Sequence, residues 1–248
     1  MEKLSVVIIT FNEEKNIANC LNSVHDVADE IIVVDSFSTD QTEAICLKYS
    51  KVRFSQHVFK GFGAQKQFAT ELSKNDWVLS LDADETISKA LQDEIVHVLN
   101  AVNPSDSYSI RLQTNYLGRT LRFSGMHTER HVRLFHKKKA KFSEHQVHEH
   151  IVSSNVTNLK NPMIHFPYQS ISHHVEKINK YTNLYTSKRT ISHFQVITKA
   201  PLRFFTIYFI KLAILDGYAG FIWAMMGTYY SFLKYLKMSE RRQLLRND

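Results

Sequence analysis

The sequence predicts an α/β fold, doubly wound around a mostly parallel sheet, with a helical C-terminal extension. Three observations carry this. Continuous apolar, β-branched runs at Leu4 to Thr10, Glu30 to Asp35 and Trp77 to Asp82 read as strands covered on both faces. Helical periodicities alternate with strands through the first hundred residues, in the order β-α-β-α-β-α-β-α. Beyond Pro201 the pattern turns into apolar, aromatic-rich helix.

The helices follow from spacing and caps. Glu14 to Val24 sets Ile17, Cys20, Leu21 and Val24 on one face. Asp40 to Tyr49 opens on Asp40 as N-cap and buries Ile45 and Tyr49. Ala64 to Ser73 follows a turn at Gly61-Phe-Gly63 and buries Phe68, Ala69 and Leu72. Ser88 caps a helix to Ala101 that carries Leu91, Ile95, Val98 and Leu99. Asn103-Pro104 marks a border, so residues 1–103 form one half. Residues 104–170 form a second half of shorter, alternating strands at Tyr108 to Leu112, Arg130 to Phe135 and Val147 to Val152. Residues 171–248 are a helical extension. It begins at Ile171 to Phe194 with Val175, Ile178, Tyr181 and Tyr185 spaced for burial, and Pro201 suits the first turn of a later helix.

With 44% hydrophobic and 22% charged residues, the 248-residue chain is neither disordered nor collagen-like. Cys20 and Cys46 are too few for a disulfide scaffold and read as reduced, buried thiols. The start Met1-Glu2-Lys3-Leu4 lacks the basic region, long apolar stretch and cleavage site of a signal peptide. The net charge of +7 suggests a polyanionic partner: nucleic acid, an anionic membrane face or a phosphorylated substrate. Lys137, Lys138, Lys139 and Lys141 form one basic cluster, a solvated hairpin tip or a contact for anionic phosphates. Nine of the thirteen histidines fall between His127 and His174, which marks that segment for more than packing.

The strand ends carry the chemistry, because ligands of open parallel sheets sit beyond the carboxyl ends of the strands. These ends are Thr10-Phe11-Asn12-Glu13, Asp35-Ser36-Phe37-Ser38 and Asp82-Ala83-Asp84. Two carboxylates one residue apart at a strand end suit a divalent cation that takes its other ligands from water and phosphates. Arg133 reads either as an exposed pairing residue or as a phosphate contact. His127 and His131 would make a metal pair only on a helix, which the alternating surroundings disfavour.

On the segments Leu4-SVVIITFNEE-Lys15, Glu30-IIVVDSFSTD-Gln41, Gly61-FGAQKQFA-Thr70 and Trp77-VLSLDADE-Thr86, the chain resembles family 2 glycosyltransferases of the GT-A fold. Through Arg133-Leu-Phe135, Val147-His-Glu149 and Leu215-DGYAGF-Ile222 it is most similar to lipopolysaccharide-core β-1,4-glucosyltransferases. The resemblance implies a UDP-sugar donor, with Thr10, Asn12, Glu13 and Asp35 at the uridine end and Lys66 at the nucleotide or its phosphates. It implies Asp82 and Asp84 at the ribose and at Mg²⁺ or Mn²⁺, with Asp84 the more direct ligand. The family's usual Glu-Asp base motif and its Gln-x-x-Arg-Trp motif are absent, so Glu149 stands in as general base and His148 as an additional ligand. His150, beside Glu149, reads equally well as a surface residue.

The implied reaction is an inverting transfer of a hexose, glucose in the nearest subgroup, from UDP to a lipid-linked saccharide. It needs a cation for the leaving diphosphate and a base for the acceptor hydroxyl. Transfer to a polyprenyl phosphate is the rival and needs no strong base. A nucleic-acid-binding module is disfavoured, since no such motif is present. For the tail, packing on the domain, seating on the membrane and spanning it all remain open. Gly217 to Leu233 has no formal charge over seventeen residues, short of the roughly 18–20 that a spanning helix wants. Lys211 and Asp216 also make spanning costly, at about 2.5–3.5 kcal/mol for a charge at the bilayer centre. Phe, Trp and Tyr beside Arg and Lys favour peripheral seating on the cytoplasmic leaflet, and the same surface suits self-association into a homo-oligomer.

Overall fold

Three apolar runs and one more polar segment pair as parallel strands: β1 (Leu4–Thr10), β2 (Glu30–Asp35) and β4 (Trp77–Asp82), with β3 (Val52–Gln56) at the edge. The computed structural model describes residues 2–125, 129–143, 150–184 and 193–247. Alternation along the strands divides the core into two layers, one on each face of the sheet. On one face Leu4, Val6, Ile8, Leu79 and Leu81 meet Ile17, Leu21, Leu91 and Ile95. On the other, Val7, Ile32, Val34 and Val78 meet Ala69, Phe135 and Phe142. Burying one such side chain contributes about 1.5–3 kcal/mol, so these strands are fixed by tertiary packing on both sides.

The helices of this region are α1 (Ile17–Val24), α2 (Thr42–Cys46), α3 (Phe62–Glu71) and α4 (Lys89–Leu99). Ser88 caps α4 by accepting from the Leu91 N–H at 3.3 Å, as expected. Asp40 caps in a different way. It stands one residue before the N-cap position of α2 and accepts from both the Thr42 N–H and the Glu14 N–H. It therefore ties two loops together as well as starting a helix. The third helix begins at Phe62, inside the expected Gly61-Phe-Gly63 turn, because Gly61 alone makes the turn at φ 119° and ψ 157°.

After β5 (Glu85–Ile87) come β6 (Ser107–Tyr116), β7 (Arg119–Thr120), β8 (Arg130–His136), β9 (Lys141–Phe142), β10 (Ile151–Val152), β11 (Val156–Asn158) and β12 (Met163–His165). The sheet order is β3-β2-β1-β4-β8-β6-β12-β5, with β8 antiparallel to β4. The chain divides into two compact units, Met1–Leu112 with Glu129–Phe166, and Gln113–Thr128 with Pro167–Asp248. Residue 103, where the sequence suggests a border, lies within the first unit, whose sheet continues through β8.

The second unit holds the β6–β7 hairpin, whose two-residue turn Leu117-Gly118 has φ of 50° and 77°, the signature of a tight hairpin with strand-matched twist. Its helices are α5 (Ile171–Leu184), α6 (His193–Phe205) and α7 (Gly217–Asn247), with a π-helical turn at Thr206–Ile210 and a 3₁₀ turn at Ala213–Asp216. Pro201 lies inside α6 rather than in its first turn. Asp216, expected as a break in an apolar run, accepts hydrogen bonds from the N–H groups of Arg122 and Phe123 and from the Ser124 hydroxyl. Among the described residues no single helix is long and apolar enough to cross a membrane. Ile197–Ile210 and Ala213–Glu240, bent by 69°, reach that length and composition only together.

Candidate active site

The register brings the expected rim together. Thr10 on β1 lies opposite Asp35 on β2, and Ile9 lies opposite Asp82 on β4. Asp35 is fully buried and accepts from the Ser38 N–H at 2.7 Å and from the Ser38 hydroxyl at 2.5 Å. Ser38 in turn accepts from the Asn12 N–H at 2.7 Å, and the Asn12 side-chain oxygen accepts from the Thr39 N–H. Asn12 has a φ of 54°, an αL conformation that asparagine tolerates better than most residues. The Glu13 N–H donates to Thr42 Oγ1, so all four expected uridine-end residues sit at two strand ends whose following loops are stitched to each other. The buried Thr10 hydroxyl has no hydrogen-bond partner among the described residues. An orphaned polar atom at a strand's carboxyl end is a place where a ligand group fits.

α3 contributes two buried polar side chains. Gln65 donates to Ser36 Oγ and to the His57 carbonyl, which braces the loop after β2. Lys66 is 5% exposed and places Nζ 2.9 Å from Asp82 Oδ1. Arg133 on β8 donates from Nη2 to Asp82 Oδ2 at 3.1 Å and to Glu85 Oε1 at 2.5 Å. It is therefore buried, contrary to the reading of an exposed pairing residue. Glu85 closes the ring by accepting the Asp82 N–H at 2.9 Å.

Charge balance decides the ionisation. Burial pushes the Asp82 carboxyl upward, but Lys66 and Arg133 outweigh it and hold it well below the usual carboxylate range. Burial raises Glu85 to about 7, opposed by Arg133 and reinforced by the negative charge of Asp82. Asp82 thus serves as the counter-ion that fixes Lys66 and Arg133.

Asp84 is differently placed. Its Oδ2 lies 3.3 Å from His165 Nε2, and its backbone carbonyl accepts from the Phe166 N–H at 2.8 Å. The antiparallel pairing of β12 with β5, His165 opposite Glu85, delivers the imidazole to this point. Burial resists a charge on His165, yet the hydrogen bond and charge of Asp84 raise its pKa above the ordinary histidine value. Among the described residues no group of three acidic, His or Cys side chains could hold a metal. A carboxylate with an adjacent imidazole still fits a divalent cation that draws its remaining ligands from a diphosphate and water. Asp84 and His165 are the residues that could hold one here.

His148 and Glu149 lie outside the described residues. His131 is paired with Glu129 at 3.0 Å. Three lysines of the expected basic tip are engaged by their own unit: Lys137 with the Ser73 carbonyl, Lys138 with Asp76 and Lys139 with Asp106. Glu85 and His165 were missed from sequence. The histidine-rich segment was a signal for His165, but only the pairing of β12 with β5 singles it out.

The family model for glycosyl transferase family 2 matches residues 5–160. An uncharacterised glycosyltransferase of Rickettsia felis is 32% identical over 97% of this chain and 90% of that protein. The lipopolysaccharide core biosynthesis glycosyltransferase LpsC of Rhizobium meliloti is 32% identical over 97% of this chain and 93% of that protein. Among solved structures, residues 1–349 of TarS from S. aureus in complex with UDP-GlcNAc align with a TM-score of 0.51. That match has 18% identity and covers 97% of this chain and 92% of the TarS chain.

Proposed function

Because the chain belongs to glycosyl transferase family 2, we propose that it moves a hexose, glucose in the first instance, from a UDP-sugar to a hydroxyl of a lipid-linked saccharide. The lipopolysaccharide inner core is the acceptor class suggested by the LpsC relative. The observation that carries this reading is the rim itself. The orphaned Thr10 hydroxyl and buried Asp35 stand on neighbouring strands, and Asp82, fixed by Lys66 and Arg133, leads directly into Asp84 and His165.

In this mechanism Asp35 and the loop after β1 bind the nucleoside end. Lys66 and Arg133 keep positive charge beside the diphosphate, where negative charge develops as the anomeric C–O bond breaks. A divalent cation, Mg²⁺ or Mn²⁺, held by Asp84 and His165 would supply Lewis-acid stabilisation of the leaving UDP. Glu149 is proposed as the base that takes the acceptor proton, with His148 beside it. One displacement then inverts the anomeric centre.

The second unit supports peripheral seating on the inner face of the cytoplasmic membrane. Its surface exposes Phe205, Ile210, Leu212, Leu215 and Tyr218, with Tyr218 74% exposed, an apolar patch that calls for a partner. The test needs no acceptor: thermal stabilisation by UDP and release of UDP from a panel of nucleotide-sugars, each with and without Mn²⁺. Manganese-dependent affinity for UDP supports the reading. Absence of any such affinity overturns it.

A further inference from the structure

The second unit contains a cavity of about 240 Å³. Its lining includes a cluster of aromatic rings. Tyr168 stacks on His174 at 3.5 Å, and Trp223 lies 6.1 Å from Tyr168 and 5.9 Å from His174. Tyr116 fixes this wall from behind, its hydroxyl 2.9 Å from His174 Nδ1. The lining also includes Arg203 and Lys211. Neither side chain has a hydrogen bond or ion pair with any described residue, although ionic partners are common elsewhere in the chain. The nearby carboxylate of Asp216 is already occupied by two backbone N–H groups and the Ser124 hydroxyl.

Lys211 is exposed but anchored through its backbone. Its backbone N–H donates to the Thr206 carbonyl and its carbonyl accepts from the Ser124 N–H, both at 2.8 Å. Its side chain then passes so close over Gly125 that a Cβ there would stand 2.8 Å from Nζ. The adjoining turn, Phe209 to Leu215, exposes Phe209, Ile210, Leu212, Ile214 and Leu215. Two unpaired cations on an aromatic-lined cavity beside an apolar projection match one ligand chemistry: a phosphate on a polar head with hydrocarbon attached. Guanidinium and ammonium groups provide charge-assisted hydrogen bonds to phosphate. The aromatic wall suits the body of the head group.

We infer that this cavity binds the phosphate-bearing head of an anionic amphiphile, with Arg203 and Lys211 on the phosphate. The inference rests on the lipid-linked acceptor reading and names where the second unit engages that class of molecule. Trp223 provides the readout, since the other tryptophan, Trp77, is buried in the core of the first unit.

The full chain is titrated with monomeric dihexanoyl phosphatidic acid, dihexanoyl phosphatidylcholine and inorganic phosphate, following tryptophan emission. Phosphatidic acid is expected to bind at least about tenfold more tightly than either other probe. Arg203→Gln with Lys211→Gln is expected to remove that margin, whereas Arg203→Lys with Lys211→Arg keeps most of it. Trp223→Phe is expected to abolish the signal. Equal affinity for the zwitterionic lipid, or an unchanged margin in the double Gln variant, overturns the inference. Phosphate alone binding as tightly as phosphatidic acid also overturns it, because the site then takes a free anion. UDP with Mn²⁺ is titrated into the same variants. In the unaltered chain, UDP affinity without lipid binding refutes the cavity alone, and absence of UDP affinity refutes the transfer reading instead.

Discussion

At the scale of single residues, the candidate site rests on a division of labour between two aspartates one residue apart. Asp82 faces Lys66 and Arg133, whereas Asp84 faces His165. The two should therefore fail differently when neutralised. Asp84→Asn keeps shape and hydrogen-bonding capacity but removes the anionic ligand. Its Mn²⁺-dependent gain in UDP affinity should fall by about 10–100-fold or more, with the melting temperature little changed. Asp82→Asn removes the carboxylate that Lys66 and Arg133 share, leaving Arg133 with Glu85, and breaking a buried pair costs about 3–5 kcal/mol. Thermal denaturation of the two variants separates the roles, and equal destabilisation would refute the division. Glu149→Gln should slow transfer by ~10²–10⁴-fold while leaving UDP affinity intact. The Asp-x-Asp pair was legible because a strand terminus is a local pattern. His165 was not, because 81 residues separate it from Asp84 and only sheet pairing joins them. Arg133 looked like either an exposed or a functional residue for the same reason: its partners sit on β4 and β5, far away in sequence.

At the scale of elements, three of the four parallel strands were read with their observed ends because β-branched runs buried on both faces leave little ambiguity, whereas β3, half-exposed and polar, gave no such run. The helices of the second unit were harder, since their boundaries depend on close backbone contacts rather than on apolar period. Gly220 on α7 shows this. A Cβ there would stand 1.9 Å from the Ala213 carbonyl oxygen, a backbone atom that cannot swing aside. Gly220→Ala should therefore lower stability by about 3 kcal/mol or more, visible as loss of the turn between α6 and α7 in thermal unfolding. The α5 histidine His174 adds a pH dependence. Burial, then the charges of His173 and Lys177, lower its pKa to about 4. The unfolded chain holds a proton on this ring below about 6.5 while the folded chain does not. Its contribution is thus complete near neutrality and is lost as pH falls from about 6.5 through 4, by up to about 3 kcal/mol. Denaturant titrations at pH 7 and pH 4.5 should show the loss, and His174→Gln should flatten the difference.

At the scale of the whole molecule, net charge and apolar exposure point the same way. The chain carries +7 overall, and its last 48 residues hold seven Lys and Arg against three acids. Two of these cations, Arg203 and Lys211, flank or belong to the segment after α6 that exposes apolar residues, where Ile210 is 67% and Leu215 60% exposed. Interfacial binding needs both features, because apolar insertion and attraction to anionic lipid add. Burying one such side chain fully contributes about 1.5–3 kcal/mol, which is roughly tenfold or more in partition. The full chain should therefore float with vesicles containing phosphatidylglycerol and be released progressively by salt, as screening shortens the reach of surface charge. Ile210→Glu with Leu215→Glu should reduce flotation by at least about tenfold with the circular dichroism spectrum and UDP affinity unchanged, since both side chains are exposed. Self-association through the same face has a different signature: concentration-dependent sedimentation without lipid, abolished by the same pair of substitutions. If the double Glu variant still floats as well as the unaltered chain, the membrane-facing surface is not this turn.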